Sequence, residues 1–204
     1  MHRIAFEIAG FKIYYYGVMM TLGVLAAYGI VMLRNRRMKV AEPDSLLDCI
    51  VWILVTGLLG ARIAYVIQRP ALYMNDPLSV LNFREGGLTL YGSLVIGTAV
   101  FIIFCRRKKL SILKMLDLFA PAVMVGIAFG RIGCFLNGCC YGIPADPPLG
   151  VVFADAGIAE PRIPVQLFES LLCLAGAGII FWLDAIKKAD GSSFLAFASL
   201  YALI

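Results

Sequence analysis

The chain has 204 residues, of which 61% are hydrophobic and only 15% carry a charge. This composition exceeds the apolar share of a soluble domain and is typical of a protein that spans a membrane. The formal net charge of +5 does not indicate a nucleic-acid partner, because the basic residues lie between apolar segments and form no stripe interleaved with aromatic residues.

Six apolar segments follow one another along the chain, and the first five approach the roughly 20 residues that cross a hydrocarbon core. They cover residues 14–33, 46–67, 88–105, 115–130, 165–183 and 194–204, the last being too short to span. We therefore predict an all-α, polytopic integral membrane protein, a helical bundle of about six transmembrane segments of which the last is incomplete. We expect a single transmembrane domain over residues 1–204, with outer-side segments at 68–87 and 131–164 and no cleavable signal peptide.

Basic residues between the segments predict the orientation of the bundle. Eleven of the eighteen Lys and Arg residues follow the first, third and fifth segments, within 34–39, 106–114 and 187–188. The positive-inside rule assigns that side to the cytoplasm. The N-terminus and the segments 68–87 and 131–164 are therefore predicted to face outward.

Four further arginines oppose this bias, because they lie toward the outer side within or beside apolar sequence. They are Arg62, Arg84, Arg131 and Arg162. An arginine at the bilayer centre costs about 2.5–3.5 kcal/mol on insertion scales, so each of them needs an anionic partner. A lipid phosphate, which the planar guanidinium binds bidentately, is one such partner, and an acidic side chain is the other. The acidic candidates are Asp48, Glu85, Asp117 and Glu169.

The surroundings of Arg131 favour a functional role for this arginine. Four glycines lie among the thirteen residues 130–142, and we predict that they break the helix where it leaves the membrane. Irregular backbone at membrane depth is tolerated where it lines a cavity. This stretch, with Arg131 and Asn137, is therefore predicted to present hydrogen-bond donors to an oxyanion. A plain outer loop is the alternative.

A second glycine-containing stretch, residues 85–93, leads into the third apolar segment. Tyr91 lies about one turn into that segment, with glycines on both sides. A tyrosine at this depth is often only an aromatic anchor at the interface. The flanking glycines favour the alternative that Tyr91 faces a site.

The available side chains restrict the chemistry. His2 is the only histidine, so a Ser-His-Asp or Cys-His constellation within the membrane domain is excluded. Any general base must be a carboxylate, a tyrosine, a cysteine or water. Three alternatives remain for the cysteines at 134, 139 and 140: packed thiols, a disulfide, or reactive groups. A zinc site is only weakly indicated, because no histidine accompanies them. We expect neither a metal ion nor a cofactor.

Five ordered stretches of the chain resemble the motifs of the prolipoprotein diacylglyceryl transferases. Residues 130–142 resemble the family signature Gly-Arg-x-Gly-Asn-Phe-x-Asn-Gly-Glu. Residues 15–17, 60–65, 86–92 and 162–169 resemble, in that order, Trp-Tyr-Gly, Gly-Gly-Arg-x-x-Tyr, Gly-Gly-Met-Ser-Phe-His-Gly and Arg-His-Pro-x-Gln-Leu-Tyr-Glu. The resemblance covers essentially the whole chain.

The chain also departs from these motifs at several positions. Tyr91 stands where the family usually has a histidine proposed to act in catalysis, Cys134 replaces an asparagine, and Cys139 replaces a glutamate. Phe168 replaces a tyrosine. The sequence ends within a stretch that resembles Tyr-Gly-x-x-Arg and begins at Tyr201. The chain therefore resembles a C-terminally truncated member, in which an arginine and a seventh membrane helix are expected to follow.

The resemblance implies an activity and a set of site residues. The activity is transfer of the sn-1,2-diacylglyceryl group from phosphatidylglycerol to the lipobox cysteine of a preprolipoprotein, the first step of bacterial lipoprotein maturation. The implied catalytic residues are Arg131, Tyr91 and Asn137. The implied substrate-binding residues are Tyr16, Arg62, Tyr65, Gly86, Gly87, Gly92, Gly130, Gly133, Gly142, Arg162, Gln166, Glu169 and Tyr201. The implied location is the bacterial cytoplasmic (inner) membrane, with the site toward the outer side.

Two other functions remain open at this point. One is a non-canonical paralogue that binds anionic phospholipid without this transfer, which the replacements at Tyr91 and Cys139 favour. The other is a small anion or lipid transporter whose arginines line the path. Lipidation of a substrate peptide would distinguish the transferase from both alternatives.

Overall fold

A computed structural model describes residues 4–8, 11–74, 76–82, 86–153, 157, 160–186 and 189–204. Strands β1 (Ile4–Ile8) and β2 (Phe11–Tyr14) precede six helices. The helices are α1 (Tyr15–Met38), α2 (Pro43–Gln68), α3 (Leu90–Arg107), α4 (Ile112–Asn137), α5 (Val165–Asp184) and α6 (Ser192–Leu203). Two short 3₁₀ helices, Pro70–Leu72 and Pro77–Leu81, lie between α2 and α3. His2, Arg84, Glu85 and the pair 187–188, on which the sequence analysis drew, lie outside the described residues.

The helices α1 to α5 are each long and apolar enough to cross a membrane, whereas α6 is apolar but has only 12 residues. This confirms the prediction of a helical, polytopic membrane protein. Large apolar side chains cover the outer faces of the helices, as Trp52 and Leu58 do on α2. Such faces are stable in lipid, because hydrocarbon chains are as apolar as the side chains themselves.

The hairpin of β1 and β2 is an element that the apolar segments did not predict. The two strands are antiparallel, with Phe6 opposite Ile13 and Glu7 opposite Lys12. The Glu7–Lys12 pair places opposite charges across the ladder, an arrangement that stabilises neighbouring strands. The hairpin leads directly into α1.

The described chain folds as two compact units, residues 1–38 with 113–204 and residues 39–112. We call them the first and the second unit. The first unit contains the hairpin and the helices α1, α4, α5 and α6, whereas the second unit contains α2, α3 and the two 3₁₀ helices. The expectation of one transmembrane domain over the chain stays a prediction.

Glycines bring α2 and α3 of the second unit into backbone contact. A Cβ atom built at Gly60 would lie only 2.7 Å from the carbonyl oxygen of Gly92, and one built at Gly92 would overlap the backbone of Gly60. Small residues permit such close approach of helices in lipid. The Thr89 N–H donates to the Ala61 carbonyl at 3.1 Å, so the start of α3 is fixed against α2.

In the first unit, a buried polar cluster joins α1, α4 and α5 to the start of α6. Arg34, which is buried, pairs with the carboxylate of Asp184 and donates to the Asp117 carbonyl at 3.0 Å. The Asp117 carboxylate accepts from the N–H groups of Gly191 and Phe194, at 2.5 and 2.9 Å. Asp117 therefore caps the N-terminus of α6 from a neighbouring helix, and it does not serve as the acidic partner of an outer arginine.

Replacing Asp117 by alanine should loosen α6. A capping carboxylate and charge-assisted hydrogen bonds each contribute about 1–3 kcal/mol, so we expect a loss of that size in the free energy of unfolding. Faster hydrogen exchange of the α6 amides and a lower Tm in detergent micelles would measure it. The control is Asp190→Ala, because Asp190 is exposed and faces Lys114 at 3.9 Å. Equal effects of the two substitutions would contradict the capping role.

Candidate functional site

Arg131 and Glu169 form an ion pair between α4 and α5 of the first unit. The Nε atom of Arg131 lies 2.5 Å from Oε2 of Glu169, and both side chains are about two-thirds buried. The Nε–H bond is not aligned with this contact, so Oε2 has no hydrogen-bond donor among the described residues. The two terminal nitrogens of Arg131 also make no hydrogen bond within the described part of the chain. The guanidinium is therefore held in place while its terminal fork remains available.

This ion pair borders a cavity of about 180 Å³, which we call the Arg131 cavity. Its lining residues are Ile127, Arg131, Glu169, Cys173, Tyr201 and Ile204. Tyr201 lies on α6, where its ring stacks on Phe197. The cavity thus combines one cation, one carboxylate and one phenol with apolar walls, a composition suited to an anionic headgroup attached to an apolar tail.

The helix break predicted at residues 130–142 lies further along the chain than expected. α4 continues through Gly130 and Gly133 and ends at Asn137. In lipid, unpaired backbone groups are costly, so the helix persists although glycine lowers its propensity by about 1 kcal/mol. Gly133 serves packing instead, because a Cβ there would lie 3.2 Å from the Tyr16 ring and 3.3 Å from Cβ of Met19. Gly130 and Gly133 consequently use their N–H groups within the helix rather than presenting them to a substrate.

A Schellman motif ends α4. The Gly138 N–H donates to the Phe135 carbonyl and the Cys139 N–H to the Cys134 carbonyl, both at 3.1 Å. Gly138 has φ of +68°, the left-handed conformation that glycine adopts without a steric penalty. Asn137 is the last helical residue, and its Nδ2 lies 3.7 Å from Sγ of Cys139. Asn137 therefore lies at the cap of the helix, facing the turn.

The segment after α4 is fastened to the start of α5. Gln166 is fully buried and donates through Nε2 to the Cys139 carbonyl at 2.6 Å. The Gly142 N–H donates to the Ile163 carbonyl at 2.9 Å, and a Cβ at Gly142 would lie 2.8 Å from Val165. These contacts give Gln166 and Gly142 roles in holding the segment.

Arg162 belongs to the same segment. Its guanidinium lies over the Tyr141 ring at 5.2 Å and contacts Glu160 at 3.4 Å. It also approaches the Gly142 carbonyl at 3.4 Å, a long contact. Backbone bonds between Arg162 and Val151 at 2.9 and 3.0 Å join the two arms of the loop. The Arg162 side chain is about as buried as that of Arg131, but it belongs to this loop and does not line the Arg131 cavity.

In the second unit, the Arg62 side chain forms hydrogen bonds with the backbone of the loop between α2 and α3. The side chain is 5% exposed, and its five N–H groups donate to five backbone carbonyls at 2.7–3.1 Å. The acceptors are Ser79, Val80, Asn82, Gly86 and Gly87. The resemblance implied that Arg62 binds substrate, and a lipid phosphate was one of its two expected partners. The structure differs, because this arrangement leaves no N–H group of the guanidinium for a phosphate.

Gly86 and Gly87 make this arrangement sterically feasible. Both have positive φ angles, +80° and +75°, which other residues adopt only with strain. A Cβ at Gly87 would lie 2.5 Å from Nη1 of Arg62 and 2.8 Å from the Tyr65 ring. Beside them lies a second cavity of about 250 Å³. It is lined by Arg62, Tyr65, Leu72, Tyr73, Ser79, Gly86 and Gly87.

Tyr91 lies in the first turn of α3 with 76% of its surface exposed. It makes no hydrogen bond within the described part of the chain. Gly92, next to it, is buried against α2 and acts in helix packing. The structure therefore brings Arg131, Glu169 and Tyr201 together in one unit and Arg62, Tyr65, Gly86 and Gly87 together in the other, with Tyr91 on the surface of the second.

All six cysteines are free thiols, so the disulfide considered for Cys134, Cys139 and Cys140 is not formed. The sulfur atoms of these three residues nevertheless lie within 4.8 Å of one another. Cys173, in contrast, is a buried residue of the Arg131 cavity that the sequence analysis did not select. Cys173 follows Glu169 by four residues on one helix, and this spacing would have predicted that the two side chains lie on the same face.

The sequence of the chain matches that of known proteins over nearly its whole length. A sequence model of the family described as prolipoprotein diacylglyceryl transferase matches residues 3–204. A phosphatidylglycerol–prolipoprotein diacylglyceryl transferase of Clostridium tetani is 32% identical over 206 residues, covering 100% of the chain and 82% of the relative.

Two further relatives are also phosphatidylglycerol–prolipoprotein diacylglyceryl transferases. The one from Finegoldia magna is 34% identical, with 100% of the chain and 81% of the relative covered. A second such protein of Clostridium perfringens is 32% identical, with 97% and 78% covered. Five helices long and apolar enough to cross a membrane are consistent with these matches, and so is the cavity lined by Arg131. The chain therefore belongs to the prolipoprotein diacylglyceryl transferase family.

Proposed function

We propose that this chain transfers the diacylglyceryl group of phosphatidylglycerol to the lipobox cysteine of a prolipoprotein, the first step of lipoprotein maturation. Relatives that cover the whole chain are named for this activity. The observation that supports it best within the fold is the Arg131 cavity, in which Glu169 holds a guanidinium whose terminal nitrogens are available. The enzyme is thus a transferase embedded in a membrane.

The reaction exchanges one bond for another at the terminal carbon of the diacylglyceryl group. The sulfur of the substrate cysteine attacks this carbon, a C–S bond forms, and the C–O bond to the phosphate breaks. The thiol proton ends on the departing phosphate or on solvent, and glycerol-1-phosphate leaves. No oxidant or reductant is consumed. The chemistry therefore requires a thiolate nucleophile and stabilisation of the charge that develops on the phosphate.

Arg131 is suited to the leaving phosphate. A guanidinium binds two phosphate oxygens at once, and its charge counts for more in an apolar cavity than in water. Glu169 forms an ion pair with this guanidinium on its Nε side, which leaves the fork of Nη1 and Nη2 for the ligand. Tyr201, on the wall of the same cavity, supplies a further donor.

Arg62 contributes in another way. Because it holds backbone carbonyls within 79–82 and at 86–87, it positions the loop from which α3 and Tyr91 follow. Tyr65 and the two glycines line the cavity beside that loop. We assign Arg62 as a positioning residue and Arg131 as the catalytic one. Asn137, Gly142, Arg162 and Gln166 shape the segment after α4.

The proposal includes a location. The charge bias of the loops indicates a multi-pass protein of the bacterial cytoplasmic membrane whose N-terminus faces outward. The end of α4 and the segment after it then lie on the outer side, where prolipoproteins emerge after translocation. Phosphatidylglycerol and the lipobox peptide are the two partners.

Tyr91 is proposed to orient the substrate rather than to act as a base. A phenol has a pKa near 10, far from that of an efficient base at neutral pH. Loss of one neutral hydrogen bond costs about 0.5–1.5 kcal/mol, so Tyr91→Phe should lower kcat about tenfold without changing the shape of the pH–rate profile. Tyr91→His should not raise the rate. Wild-type kinetics for Tyr91→Phe would remove Tyr91 from the mechanism.

Growth of a bacterial strain depleted of its own prolipoprotein diacylglyceryl transferase tests the proposed function in cells. Expression of the protein should restore growth and yield lipoproteins that carry the thioether-linked diacylglyceryl group, as mass spectrometry of a reporter lipoprotein would show. Membrane-inserted protein that leaves the reporter unmodified would indicate instead a paralogue that only binds lipid, or a transporter.

A further inference from the structure

Three thiols meet where α4 ends. The Sγ atoms of Cys134, Cys139 and Cys140 all lie within 4.8 Å of one another. Two of them are brought together by the Schellman motif, because its first and last residues, Cys134 and Cys139, are joined by a backbone hydrogen bond of 3.1 Å. Side chains at these two positions of the motif commonly touch. The pairing of these thiols therefore follows from the way in which the helix stops.

The third thiol is held by an unusual backbone conformation. Cys140 has φ of +63°, a value that few residues other than glycine adopt. Gln166 fastens the same turn by its hydrogen bond to the Cys139 carbonyl at 2.6 Å. Strained, firmly held residues of this kind are frequent at binding sites. The three sulfur atoms are thus placed by the backbone.

The distances match the needs of a thiophilic metal ion. Zn²⁺ binds thiolate at about 2.3 Å in tetrahedral geometry, which puts neighbouring sulfur atoms about 3.8 Å apart. Contraction from at most 4.8 Å requires shifts of about 1 Å, within the reach of side-chain rotation. A disulfide would instead join two sulfur atoms at about 2.05 Å and leave the third unused.

The surroundings also suit a charged metal–thiolate group. Cys134 and Cys139 are half-buried and Cys140 is exposed, so a cation can enter from one side. Arg131, three residues before Cys134 on α4, lies on the same side of the helix and places a positive charge near the thiols.

We propose that Cys134, Cys139 and Cys140 form a three-thiolate site for a thiophilic d¹⁰ divalent cation of the Zn²⁺ class. The fourth position of the tetrahedron faces the exposed side and is filled by water. Binding releases the protons of the coordinating thiols, so affinity rises with pH. This inference does not depend on the transfer reaction. The site needs no histidine, because all three of its protein ligands are thiolates.

Titration of the full chain with Cd²⁺ in detergent micelles, with a phosphine reductant present, tests this site. The ultraviolet Cd–thiolate charge-transfer band should grow to one Cd²⁺ per chain, and only a large excess of Zn²⁺ should reduce it, because thiolates favour the softer ion. Single substitutions Cys134→Ser, Cys139→Ser and Cys140→Ser should each weaken binding about a hundredfold or more, since even the loss of an outer-shell partner costs about 10–100-fold. The matched control is Cys173→Ser, a buried thiol of the same unit, which should bind like the wild type.

Two results would overturn the proposal. One is a charge-transfer band that persists at full strength in the three single variants, or that is absent from the reduced wild type. The other concerns protein purified without reductant. Its mass would be two units lower, because two of the three thiols have formed a disulfide, and reduction would not restore Cd²⁺ binding. Each single variant keeps two of the three thiols, which limits the disturbance of the fold.

Discussion

We expect Arg131→Ala to lower the rate of diacylglyceryl transfer by about 10²–10³ while the protein still inserts into the membrane. Removal of one donor that stabilises a developing oxyanion typically has an effect of this size. The guanidinium forms an ion pair with Glu169 at 2.5 Å. Rates of thioether formation on a lipobox peptide, at saturating phosphatidylglycerol in liposomes, measure the loss.

Two further substitutions sharpen this prediction. Arg131→Lys should recover only part of the rate, because a point charge does not reproduce the planar fork. Arg36→Ala, which removes an exposed arginine at the end of α1, should leave the rate unchanged. If Arg131→Ala formed thioether at the rate of Arg36→Ala, the assignment of the phosphate to Arg131 would be wrong.

Arg62→Ala is expected to disorder the loop between α2 and α3 and to abolish most of the activity with it. The substitution leaves five backbone carbonyls without their donor. A hydrogen bond to a charged group contributes about 1.5–3 kcal/mol, so the combined loss should exceed about 3 kcal/mol. Hydrogen exchange of residues 76–89 and limited proteolysis report this opening separately from the transfer rate.

The substitution Arg62→Lys should fail as a rescue, since an ammonium has three donors on one atom and cannot reach five separate carbonyls. Arg69→Ala is the matched control. Arg69 is exposed, and its guanidinium contacts only the face of Tyr65 at 5.5 Å among the interactions that the structure describes. That contact contributes about 0.5–1 kcal/mol. Native exchange of the loop in Arg62→Ala would contradict the positioning role.

The helices could be predicted from the sequence because the bilayer fixes both their length and their composition. α2 and α5 begin and end within a few residues of the predicted segments. The hairpin at the N-terminus could not be predicted from long apolar runs, because its strands have only five and four residues. Its signal was the alternation of apolar residues with Glu7 and Lys12, which a period of two would have revealed.

The end of α4 could not be predicted from the number of glycines. Gly130 and Gly133 remain helical because lipid leaves no other partner for the backbone, and the space at Gly133 is filled by Tyr16 and Met19. Gly138 alone among the glycines of this stretch takes a positive φ. Which glycine ends a helix depends on the packing around it, and one sequence does not contain that information.

The candidate site was partly predictable for a related reason. Arg131 and Glu169 could be selected because charged residues in apolar segments need partners, and the structure pairs them. The partners of Arg62 could not be foreseen, because they are backbone carbonyls, which every residue has. The proximity of the three cysteine sulfur atoms could not be predicted either, because it depends on the turn at Gly138 and not on a recognisable spacing.

The central claim is that this chain catalyses the transfer. Its most direct test is purified wild-type protein in liposomes of phosphatidylglycerol with a lipobox peptide, with both products quantified by mass spectrometry. We predict one diacylglyceryl thioether peptide for each glycerol-1-phosphate released, no reaction when serine replaces the cysteine of the peptide, and both products reduced equally in Arg131→Ala. Phosphatidylglycerol that binds the protein while neither product accumulates would contradict the account.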